Sequence, residues 1–482
     1  MTDVCDLPAT EQSALLRSGE LSARELLDAS LQRIGEVNPQ VNALVTLDVE
    51  AATAAATAAD EAYAAGEPLG PLHGLPLAVK DTHDTAGMRT TYGSPLFAEN
   101  VPEADELVVA RMRDAGAVIV GKSNTPEFAA GSHTFNPVFG LTRNPYDPTR
   151  SAGGSSGGAA TALATGMVAL ADGSDMGGSL RNPASFCNVV GHRPSPGRVP
   201  NVGPGDPWFT LSVQGPMGRT VADVALLLSA QAGPDPRSPI ALPEPGTTFA
   251  TALPTRLDGW RIAVAPDFAG AVPVDAEVAA AVEAQAGTLT ELGAVAELAA
   301  PDLTGAEEVF RTLRALHFVA AFGELVDRHP DQVKEAIRWN VEAGRALTGT
   351  DVARATTLRG ALYRRVREFF TRYDALVVPP SQVLPFDAAL EYPTSVAGTP
   401  VTDYLGWMLA PSLISATECP ATAVPVGFST GGLPIGVQVV AGHRDDLGAL
   451  GVAHALEAAN RPRVTQRPPA VRTSIVRNRS TA

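Results

Sequence analysis

Short, uninterrupted apolar segments alternate with helical segments along most of this 482-residue chain. The segments at 75–79 and in "MVALAD" lack the alternation of apolar and polar residues that marks a half-exposed strand, so they predict strands buried on both faces. "DELVVARMRDAGAVIVGKSN" predicts a helix, a turn and a strand, and "YDALVVPP", "ATAVPVGF" and "PIGVQVVAG" predict further strands. No repeat and no shift in composition divides the chain, so we expect one large α/β domain across residues 1–482.

Helical patterns account for much of the remaining sequence. Residues at about 10–66 predict helices, because "LSARELLDASLQRIGEV" has the helical apolar spacing and an alanine-rich segment that ends at a glycine follows it. Residues 274–293 and roughly 305–372 predict further helices, as does "LGALGVAHALEAAN" near the C-terminus. Residues 235–258 are rich in proline and predict a long surface loop.

The charge balance argues against nucleic acid as a partner. A net charge of −16 and a pI near 5.0 leave no basic face of the kind that phosphate contacts require. The exception is a C-terminal segment at about 460–482, which we interpret as a solvated tail, with an interaction patch as the alternative. This segment holds no acidic residue and six arginines: Arg461, Arg463, Arg467, Arg472, Arg477 and Arg479.

Cysteine usage and the N-terminal residues predict a cytoplasmic protein. Cys5, Cys187 and Cys419 are too few and too scattered for a disulfide framework or a paired metal site, which fits a reducing compartment. The first residues are acidic and lack the apolar core of a signal peptide. The uncharged run at 419–442 is long enough to span a membrane, but its prolines and glycines indicate buried strands and turns, so we expect no membrane contact.

The stretch "GSDMGGSLRNPA" at 173–184 places two glycines directly before Ser179. Gly177 and Gly178 lie between a predicted buried strand and a segment that can begin a helix. Backbone N–H groups at such a junction are unpaired and form a hollow that suits negative charge. Ser179 would then lie beside an oxyanion hole. An ordinary glycine-serine turn is the structural alternative, which this stretch alone leaves open.

A second glycine-serine stretch, "AGGSSGGAA" at 152–160, allows three interpretations. A phosphate-binding loop would need a lysine after the glycines, and none follows. Residues 153–157 match the G-x-S-x-G nucleophile elbow, but "NPYDPTRSA" is a poor strand, and that mechanism needs a downstream histidine such as His443 or His454. A flexible linker is disfavoured because apolar helical sequence follows at once.

Lys80 ends the predicted strand "LPLAVKD" and has two interpretations. A lysine there can extend to solvent along its aliphatic stem. If it is buried instead, desolvation lowers the pKa of its amine and yields a base near neutral pH, although a nearby Asp81 would oppose that shift. His83 and His133 lie near the same loops, and we interpret both as structural or pocket-lining.

Taken together, these stretches resemble the amidase signature family, whose members use a Ser–Ser–Lys triad. The resemblance is carried by "GPLHGLPLAVKDTHDTAG", "KSNTPEF", "NPVFGLTRNPYDPTRSAGGSSGG", "GSDMGGSLRNPASFCNVVG" and "PATAVPVGFSTGGLPIGVQVV". It covers most of the chain and is densest at about 70–220, which it marks as the catalytic core. It implies a single domain with a mixed, twisted central β-sheet flanked by helices.

The resemblance also implies the roles of the three matching residues. Ser179 would be the nucleophile that forms an acyl-enzyme, and Ser155, preceded in the family by a cis peptide bond, would pass a proton between Ser179 and Lys80. Lys80 would be the neutral base that later protonates the leaving group. The backbone N–H groups of Met176, Gly177, Gly178 and Ser179 would form the oxyanion hole.

By the same resemblance, Asp175 and Arg181 would brace the nucleophile loop, Ser156 would support the triad, and Ala129 would lie beside the substrate. The implied reaction is hydrolysis of the C–N bond of non-peptide carboxamides, extending to aryl amides, esters or carbamates. The substrate is a small molecule, and neither a metal nor an organic cofactor is required. A homodimer is left open.

One alternative within the family is the glutaminase subunit of a glutamyl-tRNA amidotransferase complex. Its serine-serine-leucine-aspartate-glutamine run after the nucleophile is absent, and "DPWFTLSVQGPMGRT" stands there instead. Trp208 and Phe209 in this stretch indicate either an aryl-tolerant pocket or core packing. Three features depart from the family's usual pattern, and we expect them to alter the pocket or to reflect drift: Met176 for a threonine, "GHRPSPGRV" for a "GLKP" pattern, and "TECPA" for "TGLPA".

Overall fold

The structure, a computed structural model, describes residues 3–203, 205–469 and 471. Its α-helices are α1 (Ala9–Ser18), α2 (Ala23–Val41), α3 (Val49–Ala64), α4 (Leu107–Asp114), α5 (Gly157–Ala164), α6 (Arg181–Cys187), α7 (Val221–Gln231), α8 (Ala276–Glu291), α9 (Ala306–Arg328), α10 (Glu335–Arg345), α11 (Gly349–Phe369), α12 (Leu409–Thr417) and α13 (Asp446–Val464). Its strands are β1 (Leu44–Leu47), β2 (Pro76–Lys80), β3 (Val118–Ser123), β4 (Phe135–Asn136), β5 (Gly140–Leu141), β6 (Leu170–Asp175), β7 (Val190–Arg193), β8 (Val213–Gly218), β9 (Arg261–Val264), β10 (Val295–Leu298), β11 (Ala375–Val378), β12 (Ser395–Val396), β13 (Thr399–Pro400), β14 (Ala421–Phe428) and β15 (Pro434–Ala441).

One large mixed sheet organises the described residues. Its eleven strands follow the order β1-β3-β2-β6-β8-β7-β14-β15-β11-β9-β10. β2 runs parallel to both β3 and β6, and β9 runs parallel to β10 and β11. Between these two parallel groups, the successive pairs β6–β8, β8–β7, β7–β14 and β14–β15 are antiparallel. The predicted α/β domain with a mixed central sheet flanked by helices is therefore confirmed.

The parallel strands β2 and β6 determine where the glycine-serine loops meet. Because the carboxyl ends of parallel strands share one edge of a sheet, Lys80 at the end of β2 faces the loop that follows Asp175 at the end of β6. α5 packs its N-terminus against the end of β3, where a Cβ on Gly158 would lie 2.3 Å from the Asn124 nitrogen. Glycine at this position therefore allows the serine loop before α5 to reach the same edge.

Most of the predicted elements are confirmed. The strand predicted at 75–79 is β2, the helix-turn-strand unit is α4 with β3, and the uncharged run at 419–442 forms the antiparallel pair β14 and β15. The proline-rich segment at 235–258 is a loop that contains a single 3₁₀ turn, Gly246–Phe249. No helix in the described part of the chain is long and apolar enough to cross a membrane.

Two of the predicted segments differ from the structure. The helical region at 10–66 contains the strand β1, which pairs with β3 at the sheet edge and is only partly buried. The C-terminal tail begins later than predicted, because α13 continues through Pro462 to Val464 and includes Arg461 and Arg463. Arg467 follows that helix and forms an ion pair with Asp6. The predicted tail residues Arg472, Arg477 and Arg479 lie outside the described residues.

Candidate active site

The side chain of Lys80 is fully buried, and its amine contacts the serine loop before α5 and the end of strand β6. Its Nζ lies 2.6 Å from Ser155 Oγ, 3.0 Å from Ser156 Oγ and 3.0 Å from Ser174 Oγ. Of the two interpretations of this lysine, the structure therefore excludes extension to solvent. Three hydroxyl groups converge on one amine.

Burial lowers the pKa of Lys80 to about 7, even though the carboxylates of Asp172 and Asp175 act in the opposite direction. A substantial fraction of the amine is thus neutral near pH 7. The carboxylates that act on Lys80 are those of Asp172 and Asp175 rather than that of Asp81, which accepts hydrogen bonds from the N–H and the hydroxyl of Thr91. The nearer acid is Asp172, which accepts the backbone N–H of Lys80 at 2.6 Å.

Ser155 lies in a loop whose backbone is held by surrounding hydroxyl groups. The Gly154–Ser155 peptide bond is cis. Thr134 Oγ1 donates to the Gly153 carbonyl at 2.8 Å, and the Ser156 N–H donates to the Ser179 carbonyl at 3.2 Å, which joins the two serine loops. Ser155 is completely buried, whereas Ser179 is 7% exposed. Of these two serines, only Ser179 therefore retains exposed surface.

The nucleophile-elbow interpretation of residues 153–157 is not supported. The segment before Ser155 contains only isolated bridge pairs and no named strand. Neither downstream histidine touches the serines: His443 contacts the Thr417 carbonyl, and His454 contacts the Pro254 carbonyl. Within the described ranges, no histidine forms a hydrogen bond with Ser155 or Ser179.

A buried carboxylate holds the loop that carries Ser179. Asp175 accepts the N–H groups of Gly178 at 2.9 Å and Leu180 at 3.1 Å, and Arg181 donates two further hydrogen bonds to it. Burial would raise the pKa of this carboxyl group, but Arg181 and Arg193 outweigh burial and hold it well below the usual range. Asp175 thus stays ionised and fixes the loop, as expected for a bracing residue.

Three of the four expected oxyanion-hole donors are free of protein acceptors. Over residues 3–203, 205–469 and 471, no acceptor is found for the N–H groups of Met176, Gly177 or Ser179. The N–H of Gly178 differs from the expectation, because it donates to Asp175. Three of the four N–H groups that the resemblance assigns to the oxyanion hole are therefore left without an acceptor in the described residues, and the hole itself stays a prediction.

The two glycines of this loop have a packing role that the sequence did not reveal. A Cβ on Gly177 would lie 2.9 Å from Phe310 Cζ, and a Cβ on Gly178 would lie 2.7 Å from Pro411. Gly178 also has φ of +109°, a conformation that other residues rarely adopt. Glycine is required here because α9 and α12 press against the loop, in addition to leaving the donors uncovered.

Ala129 lies in a strained turn beside an aromatic cluster. Ala129 and Phe128 both have positive φ, 56° and 48°. The ring of Phe128 contacts Tyr92 and Phe322, and Phe128 packs with Met176 against a small apolar cluster centred on α9 and α10. The shared contact brings this turn toward the nucleophile loop, while the position of Ala129 beside a substrate stays a prediction.

A second charged cluster lies behind Lys80, and sequence reasoning missed most of it. Asp172 bridges the Lys80 N–H and His83 Nδ1, and Lys122 Nζ donates to the His83 carbonyl. Burial would lower the pKa of His83, but Asp172 and Glu106 raise it overall, while burial lowers the pKa of Lys122 to about 8. Asp172 lies beside Lys80 because β6 pairs with β2. The sequence alone does not reveal that pairing, so no local signal identified this cluster.

The remaining predicted residues have structural partners. His133 Nδ1 forms a hydrogen bond with Ser151 Oγ at 2.7 Å, and burial lowers the pKa of His133 to about 4. Phe209 stacks on His317 with ring centroids 4.1 Å apart, whereas Trp208 is largely exposed. In the described residues, no group of three or more His, Cys, Asp or Glu side chains is arranged to hold a metal ion.

The three departures from the family pattern are each accommodated by specific contacts. Met176 Sδ lies 2.9 Å from a guanidinium nitrogen of Arg314 on α9. In "GHRPSPGRV", Arg193 donates to Asp175 and so supports the nucleophile loop. In "TECPA", Glu418 has φ of 62°, a conformation that glycine adopts more easily, and its carboxylate pairs with Arg359.

Comparison with known proteins agrees with this architecture. The family model described as Amidase matches residues 25–450. An acylamidase from Rhodococcus erythropolis is 36% identical over 465 residues, which cover 96% of this chain and 97% of the relative. A glutamyl-tRNA(Gln) amidotransferase subunit from Synechococcus sp. (strain CC9605) is 36% identical over 469 residues, covering 92% of this chain and 94% of the relative. The crystal structure of a bacterial aryl acylamidase of the amidase signature family aligns with a TM-score of 0.89 and 27% identity, covering 96% and 98% of the two chains.

The mixed sheet, the serine loops at its edge and these matches define one class of protein: the chain belongs to the amidase signature family. Within that class, it is a hydrolase that acts on the C–N bond of amides.

Proposed function

We propose that this enzyme hydrolyses small-molecule, non-peptide carboxamides through a covalent acyl-Ser179 intermediate. The observation that carries the proposal is the 2.6 Å contact between Ser155 Oγ and the buried Nζ of Lys80, whose pKa lies at about 7. A neutral amine at that position is a competent base at physiological pH. The Ser179 loop lies next to it and offers uncovered N–H groups.

The acylation step uses these groups in sequence. Ser179 Oγ attacks the carbonyl carbon while its proton passes to Ser155 Oγ and the Ser155 proton passes to Lys80 Nζ. Negative charge develops on the carbonyl oxygen, and the N–H groups of Met176, Gly177 and Ser179 stabilise it. Collapse of the tetrahedral intermediate breaks the C–N bond, and the leaving amine takes the proton back from Lys80 through Ser155.

Deacylation repeats the same proton path with water. Water attacks the acyl carbon of the ester on Ser179, and its proton passes by way of Ser155 to Lys80. The carboxylic acid leaves, Ser179 Oγ regains its proton, and the neutral amine is restored. Esters and carbamates fit the same scheme because only the leaving group or the acyl group changes.

The alternative is the glutaminase subunit of an amidotransferase complex. Relatives of both kinds share 36% identity with this chain, so overall similarity does not discriminate between them. The absence of the serine-serine-leucine-aspartate-glutamine run favours a stand-alone amidase. An enzyme of this kind hydrolyses aryl amides without partner chains, whereas the glutaminase subunit requires them.

The nucleophile assignment is tested by covalent labelling. A fluorophosphonate probe should label the wild-type enzyme once per chain, and Ser179→Ala should abolish the labelling, because the probe reacts with an activated serine hydroxyl. Ser174→Ala is a matched control, since Ser174 also contacts Lys80 but lies on β6, and its variant should still be labelled. Labelling of Ser179→Ala at the wild-type level would refute the assignment. Hydrolysis of aryl amides, aliphatic amides, esters and carbamates, assayed side by side, then defines the preferred substrate.

A further inference from the structure

The helix α9 turns one face toward the nucleophile loop, and that face carries a buried arginine. Phe310, Arg314 and Phe318 follow one another at intervals of four residues and therefore share one side of the helix. Phe310 lies against Gly177, and the Arg314 guanidinium lies 2.9 Å from Met176 Sδ. Arg314 is only 4% exposed, and its contact with Met176 places its charge beside the loop that is expected to present the oxyanion-hole donors.

The positive charge of Arg314 has no anionic partner. Its other hydrogen bond goes to the Tyr404 hydroxyl at 2.7 Å, its guanidinium lies over the ring of Phe318, and its Nε is buried without an acceptor. A thioether is a weak acceptor, and a guanidinium stays protonated even when it is buried. Among the described residues, no carboxylate lies within ion-pair distance of this guanidinium.

Other buried arginines in the fold are satisfied differently. Arg181 and Arg193 share the carboxylate of Asp175, and Arg198 pairs with Asp446. Arg219 forms no ion pair with any described residue but donates to two main-chain carbonyls. Burying a cation costs free energy unless an anion or strong acceptors surround it. Among these arginines, Arg314 has neither within the described residues, so an external anion would compensate its charge.

The neighbours of Arg314 suit a carboxylate rather than a second cation. His317 is one turn further along α9, and burial together with the Arg314 charge lowers its pKa to about 4, so it is neutral near pH 7. The guanidinium lies over the rings of Phe318 and Tyr404, at 4.4 and 5.7 Å from their centroids. Of the two hydrogen-bond acceptors of Arg314, the thioether of Met176 is the weaker and is the one that an entering carboxylate would replace.

We propose that Arg314 binds a carboxylate on the acyl half of the substrate, so that the preferred substrates are half-amides of short dicarboxylic acids. This inference rests on the proposed function. The oxyanion-hole donors of Met176 and Gly177 fix the carbonyl group of the acyl half, and the side chain of the same Met176 touches Arg314. A carboxylate a few bonds beyond the scissile carbonyl reaches the guanidinium and forms charge-assisted hydrogen bonds with it.

The test compares charged substrates with neutral isosteres. The 4-nitroanilides of malonic, succinic and glutaric acid carry one free carboxylate each, and the matching acyl groups with an isopropyl group in place of the carboxylate are neutral and of similar shape. Wild-type enzyme should show a kcat/KM about 10- to 100-fold higher for at least one charged member than for its isostere, the range expected for a hydrogen-bonded charge. Equal rates throughout the series would overturn the inference.

Variants assign that preference to Arg314. Arg314→Met should lower kcat/KM for the charged substrate at least 10-fold more than for its isostere, and Arg314→Lys should retain part of the preference. Arg311→Met is the matched control, because Arg311 lies on the same helix but pairs with Asp403 and Glu307, and it should leave the ratio unchanged. Equal losses on both substrates in Arg314→Met would show that Arg314 only positions Met176.

Binding measurements separate failure of this inference from failure of the proposed function. In a Ser179→Ala background, calorimetry should show a Kd at least 10-fold lower for the charged anilide, and Arg314→Met should remove the difference. If wild-type enzyme hydrolyses no anilide while this binding preference holds, the proposed function fails and the carboxylate site stands. If neutral anilides are hydrolysed and no binding preference exists, the carboxylate site fails and the function stands.

Discussion

At the scale of single residues, Lys80 shows why the role of a catalytic residue can be predicted only in part from the sequence. A lysine at the end of an apolar strand can extend to solvent or stay buried, and the choice depends on what packs over it. Here the serine loop before α5 and the end of strand β6 cover the amine with three hydroxyl groups. Local pattern left both interpretations open, and only the resemblance of several motifs in order predicted the buried one.

The pKa of Lys80 predicts the pH dependence of catalysis. Below pH 7 the amine is protonated and cannot accept a proton from Ser155, so kcat/KM should fall as pH decreases, with an apparent pKa of about 7. Above that value the rate should reach a plateau. A pH–rate profile on a 4-nitroanilide measures this directly.

His83 is the control for that assignment, because it is buried beside Asp172 and its pKa is raised. His83→Asn should keep the acidic limb, with at most a modest displacement. If the limb disappears in His83→Asn, the titration belongs to the histidine, and Lys80 is not the base that sets the rate.

At the scale of elements, the apolar runs predicted the central strands correctly and missed strands of other types. β2, β14 and β15 are almost completely buried and show as continuous apolar segments. β1 and β10 are partly exposed edge strands, and β8 contains two glycines and a proline, so their sequences lack the same signal. Their pairing is set by neighbours in the sheet, which single-sequence patterns do not encode.

The contact between the nucleophile loop and α12 predicts a large cost for Gly178→Ala. The substitution combines an unfavourable φ of +109° with a Cβ placed 2.7 Å from Pro411. We expect a loss of about 3 kcal/mol or more in the free energy of unfolding, measured by urea denaturation, because strain of ~1–2 kcal/mol and steric overlap of ~1–3 kcal/mol act together.

Gly87→Ala isolates the conformational part of that cost. Gly87 has φ of +74° and no atom within 4 Å of an added Cβ, so only the backbone strain of about 1–2 kcal/mol should be measured. Comparable losses for both variants would mean that the close packing of α12 on the loop contributes nothing.

At the scale of the whole molecule, the site combines charged and polar groups in a fully buried environment. Lys80, Lys122, Asp172 and Asp175 all lie inside the domain with no exposed surface. Burial of an amine in this way opposes folding, since the unfolded chain hydrates the ammonium ion freely. The large apolar core around the sheet offsets that cost. The buried site thus lowers the free energy of unfolding, and the packing of the core raises it.

This opposition predicts that Lys80→Met stabilises the protein while it inactivates the enzyme. Between pH 7 and 10.5 the unfolded lysine binds a proton that the folded one does not, so stability of the wild type should rise with pH over that window. Below pH 7 the full shift from 10.5 to about 7 acts against folding, which corresponds to about 5 kcal/mol. Methionine carries no charge but forfeits contacts to three hydroxyls. We therefore expect the free energy of unfolding of Lys80→Met to exceed that of the wild type by about 2–5 kcal/mol at pH 6.5, and by less toward pH 10.

Urea denaturation at pH 6.5 and pH 10 measures this difference. The control is Lys334→Met, which removes a partly exposed lysine paired with Glu391 and should show no such pH-dependent gain. A Lys80→Met variant that is less stable than wild type at pH 6.5, with an unchanged pH slope, would mean that the amine is not desolvated in the folded protein, and the base assigned to the reaction would be lost with it.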